Sequence, residues 1–139
     1  MFRNILIPVD LSGKAQMVVD AALAVAHPEL PRITLLHVIE TIRDVESQEI
    51  EDFYRMLRER AEECLARWAE QLEQAGVEVY QQIVVGKRAV EIARLAEELR
   101  CDLIILRSHR IDSKSPIGGI GTISHQVAVL AGCSVMLLK

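Results

Sequence analysis

The chain has 139 residues, half of them apolar but only 4% aromatic, and a formal net charge of −4 from 16 basic and 20 acidic side chains. That length fits one domain over residues 1–139 with a core that needs no disulfide or metal; the aliphatic bias suits helices on a parallel sheet rather than a β-sandwich, and the acidic balance supplies no field to hold a nucleic acid. Cys64, Cys101 and Cys133 are odd in number and far apart, which excludes paired-cysteine redox or zinc spacing and leaves free, buried thiols in a reducing compartment.

Met1 to Asn4 runs into a strand with no basic-then-apolar leader, and no apolar run approaches the ~20 residues of a membrane span. A cytoplasmic protein without membrane contact is expected. Phe2 to Val9 is a short β-rich run closed by Pro8 and Asp10, the pattern of a central strand that leaves Asp10 at the mouth of a site. Ser12-Gly13 can cap the next segment, a helix whose Ala15, Val18, Val19, Ala22, Val25 and Ala26 recur at helical spacing up to His27-Pro28. Arg32 to Val38 is a second strand; its His37 reads as a satisfied core residue rather than a base or ligand.

The longest periodic segment runs from about Val45 to Ala75 and places Ile50, Phe53, Tyr54, Leu57, Ala61, Cys64, Leu65, Trp68 and Leu72 on one stripe. Gly76 ends it, and Val77 to Val85 alternates like a half-exposed edge strand. A shorter helix follows Gly86, with Ala89, Ile92, Ala93, Ala96 and Leu99 inward. Leu103 to Leu106 is the most apolar strand, Gly121-Thr122 opens a last helix with Ile123, Val127 and Leu130 inward, and Ser134 to Leu138 closes the sheet. Helical connections of this length make right-handed parallel crossovers, so the expected architecture is α/β, a single-domain, doubly wound sheet of five parallel strands.

Chemistry concentrates between Leu103 and Ser124, where a buried strand delivers a glycine- and serine-rich loop to a helix N-terminus, a place suited to anions. Arg107 and Arg110 stand in that loop where small residues would fit more easily. No Walker A loop is present, and neither Ser108 nor His109 has a sequence-visible partner for nucleophilic chemistry. No catalytic residue and no metal ligand are assigned.

The opening ILIPVDLS and LLHV resemble the first two strands of the universal stress protein family. Gly86-x2-Ala89-x2-Ile92-x3-Ala96-x5-Asp102-Leu103-Ile104-Ile105 is similar to its path into the fourth strand. Gly121-Thr122-Ile123-Ser124-x2-Val127 and Cys133-Ser134-Val135 resemble its closing helix and strand, with Ser134 where a proline is usual. The resemblance covers nearly the whole chain.

It implies a strand order of 3-2-1-4-5, helices on both faces as in the adenine nucleotide alpha hydrolase-like fold, and a stress-response binding or signalling module, regulated by nucleotide or independent of it. The alternative it implies is an ATP-binding member with slow hydrolysis, a weak ATPase at most. Many members bind ATP through G-x2-G-x9-G-[S/T], whose glycines admit close backbone approach and whose last pair presents donors to phosphate. Here the pattern is Arg107-x2-Arg110-x10-Gly121-Thr122, with Gly118-Gly119 able to absorb the extra residue. The arginines either fill the nucleotide's place or turn outward and clamp phosphate.

For a bound ATP or other adenine nucleotide, the resemblance implies Val9 and Val38 near adenine, and Asp10 on the ribose or on a magnesium ion that enters only with the nucleotide. It also implies Gly121, Thr122 and Ser124 at the phosphates. Asp10 and Thr122 could instead serve as helix caps. An apolar closing strand needs cover, and the family often dimerises there; a homodimer through Ser134 to Leu138 is expected, with any regulatory protein partner unspecified.

Overall fold

The three central strands are buried on both faces, so their successive residues alternate between two cores. The computed structural model describes residues 1–41, 48–108 and 122–139. In chain order the elements are β1 (Asn4–Pro8), α1 (Gln16–Val25), β2 (Arg32–Glu40), α2 (Gln48–Gln74), β3 (Glu78–Gly86), α3 (Arg88–Glu98), β4 (Leu103–Arg107), α4 (Ile123–Leu130) and β5 (Ser134–Leu138). All neighbouring strands are parallel and their order is β3-β2-β1-β4-β5, the doubly wound sheet that the sequence predicts.

Ile5, Ile7, Ile33, Leu35, Leu103 and Ile105 face α1 and α2, where Val18, Val19, Ala22, Leu65 and Leu72 meet them. Leu6, Leu36, Val38, Ile104 and Leu106 face α3 and α4, against Ala89, Ile92, Ala96 and Val127. Burial of such side chains stabilises by roughly 1.5–3 kcal/mol each. The three cysteines are free; burial above all, then Cys133 and Asp102 nearby, pushes the Cys101 thiol up to about 12. Among the described residues no helix is long and apolar enough to cross a membrane.

At the N-terminal end of the sheet, Asp102 ties β4 to β1. Its carboxylate accepts hydrogen bonds from the amides of Arg3 (2.9 Å) and Asn4 (3.1 Å), while its own amide donates to the Asn4 carbonyl at 2.9 Å. The Asn4 side chain donates to the Leu99 carbonyl at 2.7 Å. This end of the molecule is closed by its own polar groups.

Three local expectations change. Phe53, expected inward, is 41% exposed, and buried positions of α2 begin only at Ala61. A helix of 27 residues is ~40 Å long, longer than the strands beneath it, so its first turns have no sheet to cover. Leu130, also expected inward, is 53% exposed, because α4 lasts only 8 residues and turns Val127 rather than its last turn to the core. Lastly, β2 runs two residues past the expected end at Val38, and its register sets Glu40 opposite Gly86.

Candidate functional site

The helix after β1 leaves on one face of the sheet and the helix after β4 on the other, so a crevice opens above the carboxyl ends of these neighbours. The cavity there has a volume of about 220 Å³. Its apolar side is formed by Pro8, Leu36, Val38, Ile92, Leu106 and Ile123; Asp10, Lys14, Arg88 and Arg107 supply the charges. Ligand pockets commonly run ~300–1,000 Å³, so this cavity is small, with an apolar wall and charged side chains around it.

Val9 and Val38 are buried beside the cavity. The Val9 amide donates to the Leu36 carbonyl at 2.7 Å, and its carbonyl lies 2.7 Å from Nδ1 of His37. A carbonyl only accepts, so Nδ1 carries a proton in this contact. The His37 ring is thereby satisfied within the fold and also lines the cavity, a place the sequence reading did not assign it.

Asp10 does not cap α1, nor does Ser12. The N-cap position of that helix is Ala15, without a side-chain bond, and the intervening residues close a turn on themselves. Asp10 accepts from the Ser12 amide at 3.0 Å and from the Ser12 hydroxyl, and the Lys14 amide donates to the Ser12 hydroxyl oxygen at 3.3 Å. Gly13 takes φ +77°, a left-handed conformation open to glycine. Burial would raise the Asp10 carboxyl, but the Ser12 hydroxyl and amide and the charges of Arg107 and Arg88 outweigh it and hold the acid below its ordinary value. An ionised, acceptor-only carboxylate thus faces the mouth.

Arg107 is the last residue of β4. Its partner in register is Leu138, and the next amide, of Ser108, donates to the Leu138 carbonyl at 2.6 Å. The backbone is fixed by β5, and the half-buried side chain lines the cavity within electrostatic reach of Asp10. Opposite it, Thr122 caps α4: its hydroxyl oxygen accepts from the His125 amide at 3.3 Å, and its carbonyl from the Gln126 amide at 3.0 Å. The cap uses an acceptor site, so the hydroxyl proton remains to be donated. The amides of Ile123 and Ser124 lie in the first turn of α4, at the positive end of the helix.

Val9, Asp10, Val38, Arg107, Thr122 and Ser124 therefore converge on one cavity. Arg110 and Gly121 lie outside the described residues, as do His109, Gly118 and Gly119. Lys14 and Arg88 complete the basic rim and were not singled out by the sequence; the only signal was their position just beyond strand carboxyl ends. Among the described residues no group of three or more histidine, cysteine or carboxylate side chains could hold a metal ion.

The model of the universal stress protein family matches residues 1–139. Universal stress protein MJ0577 of Methanocaldococcus jannaschii is 27% identical over 157 residues, covering 100% of this chain and 96% of the relative. Its solved structure superposes with a TM-score of 0.84 at 29% identity over the same shares of the two chains. A universal stress protein solved in complex with cAMP matches at a TM-score of 0.72 and 16% identity, covering 99% of this chain and 97% of that one. One from Arabidopsis thaliana with AMP bound matches at 0.68 and 18%, covering 98% and 90%. The last two likenesses concern the fold alone.

Proposed function

This chain belongs to the universal stress protein family, and from that premise we propose that it is a stress-response module that binds an adenine nucleotide in the cavity between β1 and β4. The observation that carries the reading is the pairing of an apolar wall with a mouth bearing Asp10, Lys14, Arg88, Arg107 and the capped start of α4. Family members solved with cAMP, AMP and dAMP support the ligand class.

In this reading adenine lies against Val38, Ile92 and Leu106, near Val9. Asp10 accepts hydrogen bonds from ribose hydroxyls. Arg107 clamps phosphate with its planar fork, and Thr122 donates its hydroxyl proton beside the amides of Ile123 and Ser124. Arg110 and Gly121 are assigned to the phosphates from their sequence positions. With ATP, Asp10 would help hold a magnesium ion, which would offset phosphate charge. No side chain is assigned to chemistry, so binding rather than turnover is the proposed activity.

The test begins with nucleotide-free protein, titrated with ATP, ADP and AMP by calorimetry. Arg107→Gly should weaken binding about tenfold by removing a charge-assisted contact. Tighter binding in that variant would show Arg107 to be an obstruction, and no heat at millimolar nucleotide would sink the nucleotide reading altogether. Steady phosphate release from ATP would favour the slow-hydrolysis alternative.

We further propose a cytoplasmic homodimer through β5. Val135 to Leu138 are only half-buried on an edge strand, and the neighbouring α4 exposes Val129 (70%) and Leu130 (53%). A second copy would cover this apolar edge. Light scattering should give twice the chain mass and Val135→Asp should halve it; a single-chain mass at micromolar concentration argues against the dimer. The three free thiols fit the reducing cytoplasm, and fractionation of cells with an antibody checks that placement.

A further inference from the structure

Arg88 stands on the wall shared by two cavities. On one side is the cavity between β1 and β4; on the other is a more polar one lined by Glu40, Thr41, Lys87 and Gln126. Its Nε contacts Oε1 of Glu40 at 3.6 Å, with the two side chains 47% and 57% exposed. Its charge also reaches Asp10 in the first cavity. One guanidinium is thus within range of a carboxylate on each side.

Two features set this arginine apart from an ordinary surface charge. It is the first residue of α3, whose N-cap Lys87 makes no side-chain bond, so two cations crowd the helix end where the backbone dipole favours anions. Glu91, in the same first turn, offsets only part of that charge. The contact with Glu40 is long, monodentate and half-exposed, a geometry worth little. It engages Nε and leaves the terminal nitrogens with their donors.

We propose that Arg88 is, beside Arg107, a specificity-determining cation of the cavity, parked on Glu40 in the free protein and turned onto the anionic group of the ligand when one is bound. It selects nucleotides over nucleosides. The assignment rests on the nucleotide reading and adds to it a residue outside the loop that follows β4. Since leaving Glu40 costs little, the swing is cheap; since α3 anchors the backbone, the guanidinium keeps to one side of the mouth. Glu40 competes with phosphate for the same side chain, so the strength of that pair tunes affinity.

The experiment compares adenosine with AMP by calorimetry in the wild type, Arg88→Gln, Arg88→Lys and Glu40→Gln, after thermal melts show each folded. Arg88→Gln should reduce AMP affinity about tenfold, the size of a charge-assisted hydrogen bond, and leave adenosine within about twofold. Arg88→Lys should restore part of the difference, because the charge returns without the fork. Glu40→Gln should tighten AMP about two- to threefold by freeing the arginine. An unchanged ratio of AMP to adenosine affinity in Arg88→Gln overturns the assignment and leaves the nucleotide reading intact. Failure of both ligands to bind the wild type overturns both.

Discussion

Two aspartates sit at opposite ends of neighbouring strands and do opposite things. At the N-terminal end Asp102 accepts from the amides of Arg3 and Asn4, groups nearly a hundred residues away in the chain, and Asn4 reaches back to the Leu99 carbonyl. At the carboxyl end, among the described residues, Asp10 bonds to Ser12 and Thr122 to its own first helical turn. Long-range bonds at the closed end hold strands together. Local bonds at the open end fix side-chain direction and leave charges and a hydroxyl proton facing outward. Fold stability and the proposed ligand recognition therefore rest on different groups, separated by the length of the sheet.

The largest effect expected from breaking this division is at the closed end. Asp102→Ala leaves two strand-entry amides without their acceptor and should cost ~2 kcal/mol, a value for hydrogen bonds to a charged group that these exposed partners moderate. Urea unfolding measures it, and AMP affinity of the folded protein should not move. A loss of affinity as large as the loss of stability would show that the two ends are coupled. Thr122→Ala, at the open end, should cost about 1 kcal/mol for the missing cap and also weaken AMP, while Thr122→Ser keeps both. If Thr122→Ala lowers stability alone, the hydroxyl is only a cap.

Most of the fold was legible because period-two burial, turn residues and helical spacing are local. The aspartate at the mouth was legible for the same reason: a polar residue directly after an apolar strand must lie at its carboxyl end. What local pattern could not supply was where neighbours stop. Phe53 lies on the apolar stripe of α2 but beyond the sheet, and Leu130 occupies a core phase in a helix too short to use it. Arg88 escaped notice because its proposed role depends on Glu40, which the register of β2 on β3 brings to it. His37 read as a core histidine, and its bond to the Val9 carbonyl is of that kind; that it also borders the cavity follows from the crevice, which no single strand encodes.

The smallest effect is the sharpest test of the open end, because it has a sign. Asp10 is held below its ordinary value in the folded protein, so the folded state binds the proton more weakly than the unfolded chain does. Its contribution to stability is then present above the unfolded value, ~3.9, and is lost as pH falls through the folded one. For an exposed, solvent-screened carboxylate the contribution should be ~0.5 kcal/mol. Asp10→Asn should therefore unfold at slightly lower urea than the wild type at pH 7, and the gap should close below about pH 4. AMP affinity at pH 7, by contrast, should fall in Asp10→Asn well beyond that small change in stability, because the ribose loses an ionised acceptor. A stability gap that widens in acid would mean the turn around Ser12 does not hold Asp10 ionised, and the open end would then have no fixed negative charge to place a sugar.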